Sequence, residues 1–182
     1  IHPTDEPRMK ELFYALSQET VYYRFMQAMT RIPERQVLDF VFVDHRRDVA
    51  IVGTVPEAHG DEIVAIGRYY LDPVTNRAEV AFTVRDGWQR RGIGTYMLRN
   101  LITIARRNGI SGFTAEVLRE NRPMRSVFHN SGCKVSTRLE GGIYQLTLAE
   151  RFAPLDNTAS GLREGARAYL QAVSYFGVNW QT

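Results

Sequence analysis

The sequence predicts an α/β domain built on a mixed sheet, and three observations carry that prediction. Residues 48–84 hold three successive runs rich in β-branched and aromatic residues, separated by turn signals. Residues 93–107 then switch to apolar spacing of the helical kind and lead into another strand-like run at 112–118. A last pair of strand-like runs surrounds Gly141-Gly142. The first three strands suggest an antiparallel meander. The helix before 112–118 is long enough to let that strand lie parallel to 78–84.

Each element has its own signal. Thr4-Asp5-Glu6-Pro7 has the residue types of a helix start: a capping residue, acids and an early proline. Met9, Leu12, Phe13 and Leu16 follow at helical spacing. A break near Ser17–Thr20 precedes a second short helix, ETVYYRFMQAM, and Pro33 opens a third, PERQVLDFVF. Strands are expected at 48–55 (DVAIVGTV), 63–72 (IVAIGRYYLD) and 78–84 (AEVAFTV), with turns at HGDE and PVTN. IGTYMLRNLITIARR puts Ile93, Met97, Leu98, Leu101, Ile102 and Ala105 on one side and stops at Gly109. GFTAEVL (112–118) is a strand, NRPMRSVFHNSG a helix ended by Gly132, and CKVSTRLEGGIYQLTL two strands. These elements make residues 1–148 the domain. Residues 149–182 read as an appendage, loop-like over APLDNTASG and helical over LREGARAYLQAVSYF.

Composition narrows the function classes. The chain has 182 residues, 44% hydrophobic and 24% charged, as expected of a soluble protein with a sizeable core. It contains no apolar stretch near the ~20 residues that span a bilayer, so no membrane role is expected. It shows no secretory signal pattern, and its start at Ile1 fits a processed chain or a domain cut from a longer one. Cys133 is the sole cysteine, which excludes an internal disulfide and a cysteine-based metal cluster and fits a cytoplasmic setting. The net charge is +3, and all but Lys10 and Lys134 of the 23 basic residues are arginines. That charge is too mild and too scattered for a nucleic-acid binder. His2, His45 and His59 have no partners at metal-ligand spacing, so no metal is expected.

The most informative segment is Gln89-Arg90-Arg91-Gly92-Ile93-Gly94, between a strand and a helix. The first N–H groups of a helix lack internal partners and carry partial positive charge, which suits phosphate. Glycines at 92 and 94 allow close approach to the backbone. A P-loop would need a lysine and a Rossmann fingerprint a third glycine at Met97. A glycine-rich turn without a ligand stays open on the hexapeptide alone.

With its surroundings, the segment resembles the acyl-CoA motif of the GNAT N-acyltransferases, Gln/Arg-x-x-Gly-x-Gly/Ala, matched by Gln89, Gly92 and Gly94. The strand AEVAFTV before it and EVLRENRPMRSVFHNSGCKV after it have the family's character. ALSQETVYYRFM, VDHRRDVAIVG, AEVAFTV and ENRPM look like the GNAT domains of Pat-type bacterial protein lysine acetyltransferases, or of GNAT domains fused to CoA-handling enzymes. The resemblance implies a GNAT fold, with a mixed and mostly antiparallel sheet flanked by helices and splayed central parallel strands. It implies direct acetyl transfer from acetyl-CoA to an amine in a ternary complex, with a protein lysine the favoured acceptor. It places the pantetheine arm on Phe82, Thr83 and Val84, and the pyrophosphate on the N–H groups of Arg90, Arg91, Gly92, Ile93, Gly94 and Thr95. Asn121 would contact the pantetheine region, or serve only as a helix N-cap before Pro123.

An alkyl ammonium with a reference pKa near 10.4 is roughly 0.04% nucleophilic at pH 7, so a carboxylate that accepts its proton is useful. Glu79 is the candidate. It shares a strand face with Ala81 and Thr83, burial would raise its pKa, and its position matches the family's catalytic glutamate. The alternatives are a structural carboxylate paired with an arginine such as Arg68, with Glu116 as a second candidate base. Many GNATs have a tyrosine that protonates the leaving thiolate where this sequence has Phe128. His129 is a weak substitute, and Cys133 reads as packing. Tyr22, Tyr23, Arg24 and Phe25 line an acceptor wall or form a core cluster. A small-molecule amine acetyltransferase, or a catalytically silent acyl-CoA-binding module regulating a fused enzyme, is the competing expectation.

Overall fold

Strand propensity and burial order the chain around a sheet of seven strands. The computed structural model describes residues 1–30, 32–44, 47–58 and 60–148, and the backbone of 179–181. Three helices come first: α1 (Glu6–Tyr14), α2 (Gln18–Phe25) and α3 (Glu34–Val41). The meander β1 (Asp48–Val55), β2 (Glu62–Asp72) and β3 (Arg77–Val84) follows, then α4 (Ile93–Arg107) and β4 (Gly112–Leu118). After α5 (Arg122–His129) come the hairpin β5 (Val135–Glu140) and β6 (Ile143–Leu148), and β7 (Asn179–Gln181). The sheet order is β5-β6-β4-β3-β2-β1-β7. Every neighbouring pair is antiparallel except β3 and β4. The mixed, mostly antiparallel sheet expected of the sequence is therefore present.

The parallel pair is short. It joins Arg77 to Gly112, Ala78 to Phe113 and Glu79 to Thr114, and then the strands part although both continue. This is the splay that the resemblance implied, and it opens the sheet at its centre.

Side-chain alternation gives the sheet two cores. On one face Val80 and Phe82 of β3 pack with Met97, Leu98 and Leu101 of α4 and Phe128 of α5. On the other, Ile63 and Ile66 of β2 meet Met9, Leu12 and Phe13 of α1 and Phe40 of α3. All six residues placed on the inner side of α4 are buried, and the five larger than Ala105 are each worth about 1.5–3 kcal/mol of apolar burial. The helix ends as expected, with Gly109 at φ 72°.

α2 is shorter than its sequence pattern. Met26 takes a left-handed φ of 55° and its N–H bonds back to the Tyr22 carbonyl, which closes the helix before Gln27-Ala28-Met29. The helix expected at 162–176, with most of the 149–182 appendage, lies outside the described residues. The backbone at 179–181 pairs with β1, Gly53 opposite Trp180.

Candidate active site

A cleft of about 560 Å³ opens where β3 and β4 part, walled by α2, the loop before α4 and the start of α5. Strand geometry decides what β3 offers it. Arg85 N–H donates to the Val64 carbonyl, so alternation directs the backbone groups of odd-numbered residues to β2 and those of Val80, Phe82 and Val84 towards β4. Past Glu79 there is no paired β4 residue to receive them. Thr83 lines the same cleft through a buried hydroxyl with no hydrogen-bond partner among the described residues. Phe82 and Val84 thus present backbone, whereas Thr83 presents its side chain.

The loop at 89–92 reverses the chain onto α4 with two left-handed residues, Arg90 at φ 58° and Gly92 at φ 85°. Such alternation turns successive N–H groups to one concave side. Those of Arg90, Arg91 and Gly92 donate to nothing among the described residues. Gly92 is the N-cap of α4 and has no side chain to close the helix end, so the N–H groups of Ile93, Gly94 and Thr95 complete an anion-ready terminus. Gln89, Arg90, Ile93 and Gly94 line the cleft. Arg91 instead stacks on Trp88, 4.8 Å from ring centroid to guanidinium.

Gln89 has a structural job as well. Its Nε2 donates to the Thr20 hydroxyl and the Val84 carbonyl, both at 3.0 Å. Next to it, Asp86 accepts from Ser17 N–H at 2.8 Å, from Ser17 Oγ at 2.6 Å and from Thr20 Oγ1 at 2.7 Å. Ser17 is the N-cap of α2. Partial burial pushes the Asp86 carboxyl up, and the hydrogen bonds from Ser17 and Thr20 outweigh it, leaving its pKa below the ordinary value. Sequence reading did not find this clamp. Its partners lie 66 and 69 residues apart, and the only local trace was the break at Ser17–Thr20.

Glu79 lies in the cleft wall, but it is exposed, so the burial expected of it is not found. The cause is the splay itself, since Glu79 is the last β3 residue paired with β4. Its carboxylate makes no hydrogen bond or ion pair among the described residues. The alternative pairing with Arg68 is not formed, because the Arg68 guanidinium stacks 4.0 Å from the Tyr70 ring centroid and donates to the Asp39 carbonyl. Glu116 also lines the cleft and accepts from Gln145 Nε2 at 2.7 Å.

Asn121 is buried in the cleft wall and caps α5, its Oδ1 accepting from Met124 N–H at 3.1 Å. Its amide nitrogen makes no hydrogen bond among the described residues. Phe128 is 1% exposed, with its ring 5.5 Å from that of Phe82, and it has no proton to give. His129 is exposed and outside the cleft lining, and Cys133 packs against the α4-side core. Tyr23, Arg24 and Phe25 line the cleft, whereas Tyr22 does not. Hydrogen bonding to Glu19 first, then burial, raises the Tyr23 phenol.

The described residues hold no group of three or more histidine, cysteine or acidic side chains placed to bind a metal, and no helix long and apolar enough to cross a membrane. His45 and His59 lie outside them.

The Acetyltransferase (GNAT) family model matches residues 10–132. Acetyltransferase Pat of Mycolicibacterium smegmatis is 36% identical over 118 residues, 64% of this chain and 34% of that protein. Acetyltransferase PA5475 of Pseudomonas aeruginosa is 28% identical over 123 residues, 68% of this chain and 66% of the other. The crystal structure of the GNAT domain of S. lividans PAT superposes with a TM-score of 0.73 at 31% identity, covering 81% of this chain and 86% of that domain. The match to Pat takes in about a third of that protein's length, and the match to PA5475 about two thirds.

Proposed function

The chain belongs to the GNAT family of acetyltransferases, and we propose that it moves an acetyl group directly from acetyl-CoA to a primary amine, with a protein lysine as the acceptor. The observation that carries the proposal is the cleft at the β3–β4 splay, with an uncapped helix N-terminus at one end and a free carboxylate at the other. The likeness to Pat and to the GNAT domain of S. lividans PAT supports the family branch. The lysine acceptor, a fused CoA-handling partner and a cytoplasmic setting belong to the proposal.

The residues suit acetyl-CoA. The N–H groups of Arg90 through Thr95 and the α4 dipole would hold its pyrophosphate. Phe82 and Val84 would pair backbone groups with the amides of its arm, and the unpartnered Thr83 hydroxyl and Asn121 amide stand beside them. When bound, acetyl-CoA supplies an acetyl carbonyl activated as a thioester. Glu79 takes the proton of the acceptor ammonium, and its exposure lets a water relay that proton. Phe128 and Phe82, which both line the cleft, would keep the thioester end apolar and dry. Thiol release needs no partner from Phe128, because a thiol with a reference pKa near 8.5 is a tolerable leaving group.

Glu79→Gln is expected to lower kcat about 10²–10⁴-fold while the acetyl-CoA dissociation constant stays within about threefold. An unchanged kcat removes Glu79 from the mechanism. Phe128 favours a second reading, a silent acyl-CoA-binding module. That reading stands if the wild-type protein binds acetyl-CoA yet acetylates neither a protein extract nor a panel of amines.

A further inference from the structure

Arg24 stands in the last turn of α2, in the acceptor wall of the cleft. Its guanidinium lies 5.3 Å from the Phe25 ring centroid and 5.5 Å from that of Phe40. Its Nε is fully buried without a partner, and none of its N–H groups donates a hydrogen bond among the described residues. Behind it, Arg68 is 2% exposed, 5.2 Å from the same Phe40 ring, and its Nε is also buried without a partner. No carboxylate forms an ion pair with either guanidinium among the described residues. Burial holds the Arg24 pKa below its ordinary range, Tyr70 opposes the shift, Arg68 adds to it and Glu79 opposes it.

Buried cations are costly unless they are paired and hydrogen-bonded. Aromatic stacking and the α2 dipole ease the charge but satisfy none of the five donors. A guanidinium fork matches a carboxylate in bidentate fashion. Among the described residues Glu79 is the only carboxylate that acts on Arg24 appreciably, and as the proposed base it must stay available to the amine.

We propose that Arg24, backed by Arg68, is a receptor for a carboxylate that enters the acceptor half of the cleft. That carboxylate belongs either to an acidic residue beside the acceptor amine or to the far end of a dicarboxylic acyl group. The inference rests on the acetyl-transfer reading and adds a charge preference to it.

The test compares kcat/KM within two matched pairs, using the purified protein. One pair is acetyl-CoA with a lysine peptide carrying Asp next to the lysine, against the same peptide with Asn there. The other is succinyl-CoA against acetyl-CoA on the Asn peptide. In at least one pair the carboxylate-bearing member is expected to lead by about tenfold or more in wild type. That ratio should fall to about 1 in Arg24→Gln and lie between in Arg24→Lys. A lead in the first pair identifies an acidic neighbour of the amine, and a lead in the second a dicarboxylic acyl group. Ratios near 1 in both wild-type pairs overturn the proposal, as does a lead that Arg24→Gln retains. Calorimetric titration of glutarate into the CoA-bound protein reads the site without turnover, with weakening of tenfold or more expected in Arg24→Gln. Glutarate binding that depends on Arg24 in a protein that transfers nothing upholds the receptor and defeats the transfer reading. If transfer is also absent, failure of glutarate to bind wild type defeats the receptor.

Discussion

Two glycines that look alike in the sequence do different work. Gly92 holds a left-handed φ of 85° at the α4 N-cap, where a side chain is strained whatever the space. Gly94 lies in the first turn of α4, and a Cβ there would meet Val127 Cγ2 at 3.4 Å and Phe82 Cε2 at 3.6 Å, ordinary contact distances. Gly92→Ala is therefore expected to cost about 1–2 kcal/mol, and Gly94→Ala to fall within about 0.5 kcal/mol of wild type. Urea titration separates them, and equal costs would refute the distinction. Side-chain charge follows the same logic. Arg91 drew attention in the sequence but stacks on Trp88, so the backbone of the loop matters more than its guanidinium. The Gln89, Gly92 and Gly94 motif was legible through its resemblance to the GNAT motif, together with the strand before it and the helix after it. The exposure of Glu79 was not, because a strand pattern shows which face a residue takes and not whether its neighbouring strand departs.

At the scale of elements, the clamp of Asp86 and Gln89 on Ser17 and Thr20 ties α2 to the loop before α4. The folded-state pKa of Asp86 lies below its ordinary value. Its stabilisation is therefore present above the unfolded pKa near 3.9 and is lost as pH falls through the lower folded value. Asp86→Asn should cost about 1 kcal/mol at pH 7, discounted because the carboxyl is solvent-accessible. The gap to wild type in urea titrations should narrow steadily between pH 5 and pH 3. A gap independent of pH would show that the carboxylate charge is not what holds the clamp. The same variant should raise both the acetyl-CoA and the acceptor KM, since one contact set positions both walls.

The whole molecule joins these parts across a sheet with two cores. Both walls of the cleft rest on β3, with α4 and α5 fastened to one face and α1 to α3 to the other. A ligand seated in the splay binds only the folded arrangement and so stabilises it by mass action. Acetyl-CoA at about 100 times its dissociation constant should add about 2.7 kcal/mol, which raises Tm by roughly 5–10 °C for a chain of this size. Thermal melts across an acetyl-CoA series read this directly, and a Tm that stays fixed at millimolar acetyl-CoA would defeat the assignment of the cleft. Under the proposed role of Glu79, which places it on the amine and not on the donor, the Glu79→Gln protein should show the same shift.

Local chemistry determined the element order, the strands within a residue at most boundaries, the buried side of α4, the left-handed stop at Gly109 and the glycine-bearing turn into α4. Each depends on periodicity, capping or a φ preference that operates over a few residues. Only the tertiary structure decided where β3 and β4 part, that Glu79 stands exposed there, that Asp86 reaches α2, and that the Arg24 Nε is buried without a partner among the described residues. These depend on contacts between segments far apart in the chain, such as Ser17 with Asp86. Distant contacts leave no periodic trace, because each residue's own environment is set by whatever the fold brings against it.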